Sequence, residues 1–124
     1  MKILNKTRKT VLAENAEMAK GFWKKSIGLM FRNNMENSQG FMMEFEQEDF
    51  YGIWMFCMRF PIDLVFIDPE KRVVDFFENV KTFGTNPKTW KVYKPGKPAK
   101  WVLELKSGRI KETRTSLGDK LYWH

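Results

Sequence analysis

The sequence has a single cysteine and a single histidine, and this scarcity restricts its chemistry. Cys57 alone cannot form an internal disulfide, so we expect a protein of a reducing compartment. His124 is the last residue, and one histidine with one cysteine does not supply a common zinc site. No apolar run approaches the length of a membrane-spanning helix, and the N-terminus lacks the apolar core of a signal peptide. We therefore predict a soluble, cytoplasmic protein, monomeric or weakly associating, that folds without metal or cofactor.

Apolar residues, by contrast, are abundant. The 124 residues include 11 Phe, 5 Trp, 3 Tyr and 8 Met, which predicts one domain, residues 1–124, with a substantial core. The net charge is +7, which can attract phosphates or anionic surfaces. Residues 41–70 nevertheless carry seven acidic residues and one arginine, so a uniformly nucleic-acid-binding surface is not expected.

The most informative stretch runs from Trp54 to Asp68. Its second half, Leu64 to Ile67, is a continuous apolar run that is typical of a strand buried on both faces. Pro61 cannot donate to a sheet, so a bend or bulge is expected there. Asp63 opens the buried strand, and a carboxylate that enters a core needs a partner. We predict Arg32 as that partner.

The remaining patterns predict a chain of short strands with two helices. Ala16, Ala19, Trp23, Ile27 and Met30 recur at helical spacing and predict the main, N-terminal helix, with Asn15 as its N-cap. Ser107 is a candidate cap for a short helix over residues 108–113 near the C-terminus. The fold class expected is α+β and mostly β, with the main helix packed on a compact antiparallel sheet. The predicted strands cover residues 2–4, 10–13, 40–45, 50–58, 63–67, 72–80 and 101–105, with a last short strand near the C-terminus. Residues 64–67 and 73–77 are expected to pair as a hairpin across the turn at 68–71.

Residues 82–100 differ in character from the rest. Three prolines and two glycines predict a long surface loop, and the segment contains no acidic residue. Its lysines fall at every third position, which would align them in a polyproline II helix. The segment is therefore either a solvated loop or an anion-binding ridge made of Lys88, Lys91, Lys94, Lys97 and Lys100, with Trp90 and Tyr93 adding aromatic surface.

Four segments, in order, resemble one family. They are GLMFR at 28–32, GFMMEF at 40–45, WM at 54–55 with PIDLVFID at 61–68, and VLEL at 102–105 with SG at 107–108; GD at 118–119 would be a fifth. Together they resemble the uncharacterised family called domain of unknown function 192, over about residues 10–123. The resemblance implies a helix packed on a barrel-like sheet and implies no established reaction. The family usually has polar residues after the Trp-Met pair, where this chain has Phe56, Cys57 and Met58.

These observations leave three functional hypotheses. The first is a binding module for a small apolar or anionic ligand, with an apolar, Met- and aromatic-rich pocket or groove floored by Arg32 and Asp63; the residues expected to bind are Arg32, Trp54, Met55, Asp63 and Glu104. The second is an anion- or nucleic-acid-binding protein that uses the lysine-rich loop. The third is a hydrolase that uses Asp63 and Glu104, which requires both carboxylates in one cleft. A purely structural ion pair between Arg32 and Asp63 is the alternative to all three.

Overall fold

The computed structural model of the protein describes residues 1–20, 34–54, 60–81 and 92–124. In these ranges the chain is mostly β, with one short helix. In chain order the elements are β1 (Ile3–Asn5), β2 (Thr10–Ala13), β3 (Asn15–Ala19), β4 (Gln39–Asp49), β5 (Ile53–Trp54), β6 (Ile62–Ile67), β7 (Val73–Val80), β8 (Val92–Tyr93), β9 (Ala99–Lys106), α1 (Arg109–Thr113) and β10 (Leu121–Tyr122).

The strands form three sheets. The largest has five strands in the order β3-β4-β9-β6-β7, and a three-stranded sheet has the order β10-β1-β2. Strands β5 and β8 pair with each other. The strand β9, which the sequence predicted as a single strand over residues 101–105, is the centre of the five-stranded sheet and pairs antiparallel with both β4 and β6. Residues on β9 are therefore covered on both sides by neighbouring strands.

Alternation along these strands divides the core in two. Met42, Val65 and Leu103 belong to a first apolar cluster, which also includes residues of the three-stranded sheet and of α1. Their neighbours Phe41, Leu64 and Val102 belong to a second cluster on the opposite face of the five-stranded sheet. Successive side chains of a strand point to opposite faces, so the two clusters are the two sides of one sheet. All six residues of β6 are buried, as the sequence predicted for a doubly covered strand.

The prediction of a main N-terminal helix is wrong over the part that the structure describes. Asn15–Ala19 forms the strand β3, which pairs in parallel with β4 from Asn15 opposite Gln39 to Ala19 opposite Met43. The Asn15 N–H donates to the Ser38 carbonyl at 2.9 Å, so Asn15 is not a helix cap. Pairing with a strand distant in sequence overrides the local helical spacing of two alanines. The remaining positions of the predicted stripe, Trp23, Ile27 and Met30, lie outside the described residues.

The expected barrel-like antiparallel sheet is also wrong. Within the described ranges the five-stranded sheet is open, ending at β3 and β7, and it contains the parallel pair β3 and β4. A second layer covers its first face, since Ile3, Leu12 and Leu121 of the three-stranded sheet pack in the first cluster. Two stacked open sheets thus bury the apolar side chains that closure into a barrel would otherwise bury.

Two other predictions are confirmed. Strands β6 and β7 form the expected hairpin, with Leu64 opposite Phe77 and Ile67 opposite Val73. The short C-terminal helix is present as α1, although Gly108, and not Ser107, occupies its N-cap position. The Ser107 hydroxyl instead donates to the Asn79 side-chain oxygen at 2.8 Å.

Candidate functional site

Asp63 is fully buried, and three backbone amides donate hydrogen bonds to its carboxylate. Oδ1 accepts a hydrogen bond from the Asn79 N–H at 2.8 Å. Oδ2 accepts from the Gly108 N–H at 3.1 Å and the Ile110 N–H at 2.9 Å. The first N–H groups of a helix have no partner within the helix, and Gly108 has no side chain with which to cap them. Asp63 therefore caps α1 from a neighbouring strand.

The backbone of β7 adapts to this carboxylate. The register between β6 and β7 shifts between Ile62 and Leu64, so Glu78 and Asn79 together lie opposite Asp63. Asn79 has φ 49°, a left-handed conformation that asparagine tolerates better than most residues. This bulge directs the Asn79 N–H at Asp63. The chain also bends at Phe60, next to Pro61, where the sequence predicted a bend or bulge.

The predicted partnership of Asp63 with Arg32 stays a prediction. The described partners of Asp63 are three backbone amides that together join β6, β7 and the start of α1. Arg32 itself lies outside the described residues. The signal that could have identified the amides is the Ser-Gly pair at 107–108, because a helix that starts at a glycine needs a capping group from elsewhere.

Glu104 lies at the centre of the second face of the five-stranded sheet. It is on β9, directly opposite Phe41 on one side and Leu64 on the other, and both neighbours belong to the second apolar cluster. Its exposed fraction is 6%, so Glu104 does not face solvent. Burying a carboxylate costs several kcal/mol before its interactions are counted, on the order of the stability of a small domain.

Asp63 and Glu104 point to opposite faces of the sheet. Asp63 lies opposite Leu105, which belongs to the first cluster, whereas Glu104 lies opposite Leu64 of the second. Cross-strand partners share a face, so the sheet itself separates the two carboxylates. They do not meet in one cleft, which removes the geometry that the hydrolase hypothesis requires.

Asp119 forms a second buried polar centre, and sequence analysis had not proposed it as a binding residue. Its Oδ2 accepts hydrogen bonds from the Asn5 side-chain amide at 3.0 Å, the Ser116 N–H at 2.9 Å and the Arg8 Nε at 3.1 Å. The Asn5 amide also donates to the Thr115 hydroxyl at 3.1 Å. This network joins the β1–β2 turn to the C-terminal loop, 114 residues away from Asn5 in sequence. The available sequence signal for this network was the polar stretch NKTRK at residues 5–9, between the first two predicted strands.

Burial raises the pKa of Asp119, but the hydrogen bonds from Asn5 and Ser116 and the hydrogen bond and charge of Arg8 outweigh it, so the pKa lies below the ordinary value of 3.8. A lowered pKa stabilises the fold above pH 3.8, and this stability is lost as the pH falls through the folded-state value. We expect Asp119→Asn to unfold more easily than the wild type at pH 7. The difference should shrink below about pH 4 in urea titrations. A constant difference down to pH 2 would contradict this role, and Glu36→Gln, at an exposed position, is the control.

The lysine-rich segment is only partly described, and that part is not one polyproline helix. Lys88, Trp90 and Lys91 lie outside the described residues. Tyr93 is in β8 and contacts the Phe77 ring edge-to-face at 5.3 Å. Lys94 and Lys97 are exposed, the chain bends at Gly96 and Lys97, and β9 has begun by Lys100, whose Nζ lies 5.4 Å from the centre of the Trp101 ring. The structure therefore brings no continuous lysine ridge together in residues 92–100.

Trp54 and Met55 are the last of the predicted binding residues, and Trp54 ends β5. The backbone of Trp54 pairs with Val92 of β8, and Met55 lies outside the described residues.

Among residues 1–20, 34–54, 60–81 and 92–124 there is no group of three His, Cys, Asp or Glu side chains that could hold a metal ion. No helix within those ranges is long and apolar enough to cross a membrane.

Comparison with known proteins places the chain in a family. The model of the DUF192 family, described as an uncharacterised ACR, matches residues 3–123. A UPF0127 protein of Pyrococcus abyssi is 33% identical over 98% of this chain and 96% of its own length, and one of Thermococcus gammatolerans is 32% identical over 98% and 74%. A crystal structure of a protein of unknown function from Novosphingobium aromaticivorans has the same fold, with a TM-score of 0.84, 21% identity, and coverage of 98% of this chain and 82% of that one. The family model covers nearly the whole chain, and the UPF0127 relatives align over nearly its full length. The chain belongs to the DUF192 family.

Proposed function

We propose that this chain is a binding module whose ligand contacts Glu104 on the second face of the five-stranded sheet. The observation that carries the proposal is a buried carboxylate between Phe41 and Leu64 in the central strand, on the face of the sheet that holds the second apolar cluster. A sheet gains more stability from an apolar residue at such a position than from a buried charge. A ligand that bears a hydrogen-bond donor would gain a charge-assisted hydrogen bond from a carboxylate at this position.

The surroundings of Glu104 suggest the class of ligand. Met35 and Met43 are buried in the same cluster, and Phe45, Phe60 and Tyr93 pack against it. Methionine side chains adapt their shape, so a cluster that contains them can accommodate varied apolar groups. A carboxylate adds a hydrogen-bond acceptor with negative charge. The ligand that fits is small and mostly apolar, with one hydrogen-bond donor or amine.

One of the binding residues predicted from sequence has a different role in this proposal. Asp63 is assigned to capping α1, on the other side of the sheet, and no longer floors the site. Arg32, Trp54 and Met55 remain candidates from the sequence pattern alone.

The proposal predicts which methionine methyl groups respond to a ligand. We would label methionine methyls with ¹³C and titrate the protein with alkyl amines, aryl amines and aryl alcohols. Binding should shift the signals of Met35 and Met43, in the second cluster, and leave those of Met1, Met18 and Met42, at the first cluster, in place. Glu104→Gln should weaken the binding about tenfold through loss of the charge-assisted hydrogen bond.

The matched control is Glu112→Gln, which removes one exposed carboxylate. It should leave the affinity unchanged. If no compound shifts Met35 or Met43, or if Glu104→Gln binds as tightly as the wild type, the proposal is wrong. The folded state of each variant is checked from its thermal unfolding midpoint.

A further inference from the structure

The outer surface of the three-stranded sheet carries cations around an exposed aromatic ring. Leu121 and Trp123 are buried, whereas the alternate residues Lys120, Tyr122 and His124 point outward from the same strand. Leu4 lies opposite Tyr122, and the exposed Lys6, which directly follows β1, belongs to this surface as well. We call this surface the basic face; its residues are Lys6, Lys71, Arg72, Lys120 and Tyr122.

Backbone contacts make the basic face continuous. The Lys6 N–H donates to the Lys120 carbonyl at 2.8 Å, and the Leu121 N–H donates to the Lys71 carbonyl at 2.8 Å. Arg72 pairs with Lys120 across an isolated antiparallel bridge. The backbone that carries these cations is therefore held together across three separate segments of the chain.

Two lysine ammonium groups lie over the Tyr122 ring. The Lys6 Nζ lies 5.3 Å from the ring centre and the Lys71 Nζ lies 5.8 Å from it. Tyr122 is 37% exposed, and His124 contacts it edge-to-face at 5.1 Å. Lysine side chains are flexible, so a base can replace them over the ring while their ammonium groups move to the phosphates on either side.

Nearby acids do not neutralise these cations. In the described part of the chain, none of Lys6, Lys71, Arg72 and Lys120 forms a salt bridge with a described acid. Asp119 is buried and paired with Arg8, and the Asp68 Oδ1 accepts the backbone N–H groups of Glu70 and Arg72. The charge of the basic face is thus available to an anionic partner.

We propose that the basic face binds single-stranded nucleic acid, with phosphates on the four cations and one base stacked on Tyr122. A phosphate-bearing partner accounts for the cations, and a base accounts for the exposed ring among them. Binding of this kind depends strongly on salt and weakly on sequence. The basic face includes none of the residues proposed above to bind a small ligand, so it is an additional site.

The test uses a fluorescein-labelled 15-mer of deoxythymidine and fluorescence anisotropy between 50 and 200 mM salt. Each phosphate contact adds a slope of about −0.7 to a plot of log affinity against log salt for single strands. Lys6→Gln with Lys71→Gln should make that slope shallower by about 1.4. Tyr122→Leu should weaken binding about tenfold and leave the slope unchanged, because stacking releases no counterions.

The matched control is Lys94→Gln with Lys97→Gln, which removes the same charge from exposed positions outside the basic face. It should change neither the slope nor the affinity by much. The proposal is overturned if the wild type fails to bind the oligonucleotide at 50 mM salt, or if the control pair loses as much slope as the basic-face pair. Binding to phosphatidylserine vesicles without binding to the oligonucleotide would also overturn it. The exposed single variant Lys6→Gln, with an expected change of about 0.7, serves if the double variant does not fold.

Discussion

Asp63→Asn should lower the free energy of unfolding by about 3 kcal/mol. The wild-type carboxylate accepts three backbone N–H groups, one on Oδ1 and two on Oδ2. Asparagine has only one acceptor oxygen, and in either orientation its NH₂ group faces at least one buried N–H donor. The cost combines the loss of charge-assisted hydrogen bonds with an unsatisfied donor next to the start of α1.

Urea unfolding of wild type, Asp63→Asn and Glu78→Gln measures this effect. Glu78 is an exposed carboxylate beside Asn79 on β7, so its substitution controls for the loss of one negative charge near the bulge. We expect Glu78→Gln to unfold like the wild type. Amide hydrogen exchange should also accelerate at Gly108 and Ile110 in Asp63→Asn. A loss of less than 1 kcal/mol would show that the three amides do not depend on the carboxylate.

Gly40→Val should cost a similar amount, about 3 kcal/mol, through overpacking. Gly40 begins the buried part of β4, where the two sheets approach each other. A Cβ at this position would lie 2.9 Å from the Ala13 Cβ and 3.4 Å from the side chains of both Leu103 and Leu105. The Ala13 Cβ is attached to the backbone of β2 and cannot rotate away, so the strands themselves would have to separate.

A second pair of variants separates this contact from the general effect of replacing glycine. Gly40→Ala combined with Ala13→Gly exchanges the two side chains, and the double variant should be more stable than the sum of the single effects predicts. Gly96→Val is the control, because the nearest atom to a Cβ there is the Asp75 Oδ2 at 3.7 Å. Strict additivity of the two substitutions would exclude the steric explanation.

The elements that the sequence predicted well are those with a strong local pattern. The apolar run at 64–67 and the turn after it were enough to predict the β6–β7 hairpin, and Gly40 to Phe45 was recognisable as a strand by its alternation. The strand β3 was missed because its pairing with β4 is parallel and joins residues more than 20 positions apart, which no local period records. The arrangement of the sheets likewise depends on which strands pair, and this is a property of the whole chain.

The same distinction holds for the polar residues. The position of Asp63 at the mouth of a buried strand predicted its burial, but its partners are backbone amides, which have no signature in residue types. The burial of Glu104 depends on β9 being central, which local alternation could not show. Lys6 and Tyr122 of the basic face are 116 positions apart in sequence and come together only through the pairing of β1 with β10.

One measurement tests whether Asp63 and Glu104 lie on opposite faces of the sheet and have separate roles. The affinity of the tightest amine found in the methionine-methyl screen is measured by calorimetry for Asp63→Asn and Glu104→Gln, each under conditions where the variant is folded. We expect Asp63→Asn, although less stable, to bind the amine like the wild type. Glu104→Gln should bind it about tenfold more weakly. A loss of affinity in Asp63→Asn equal to that in Glu104→Gln would contradict the assignment of the two carboxylates to opposite faces and separate roles.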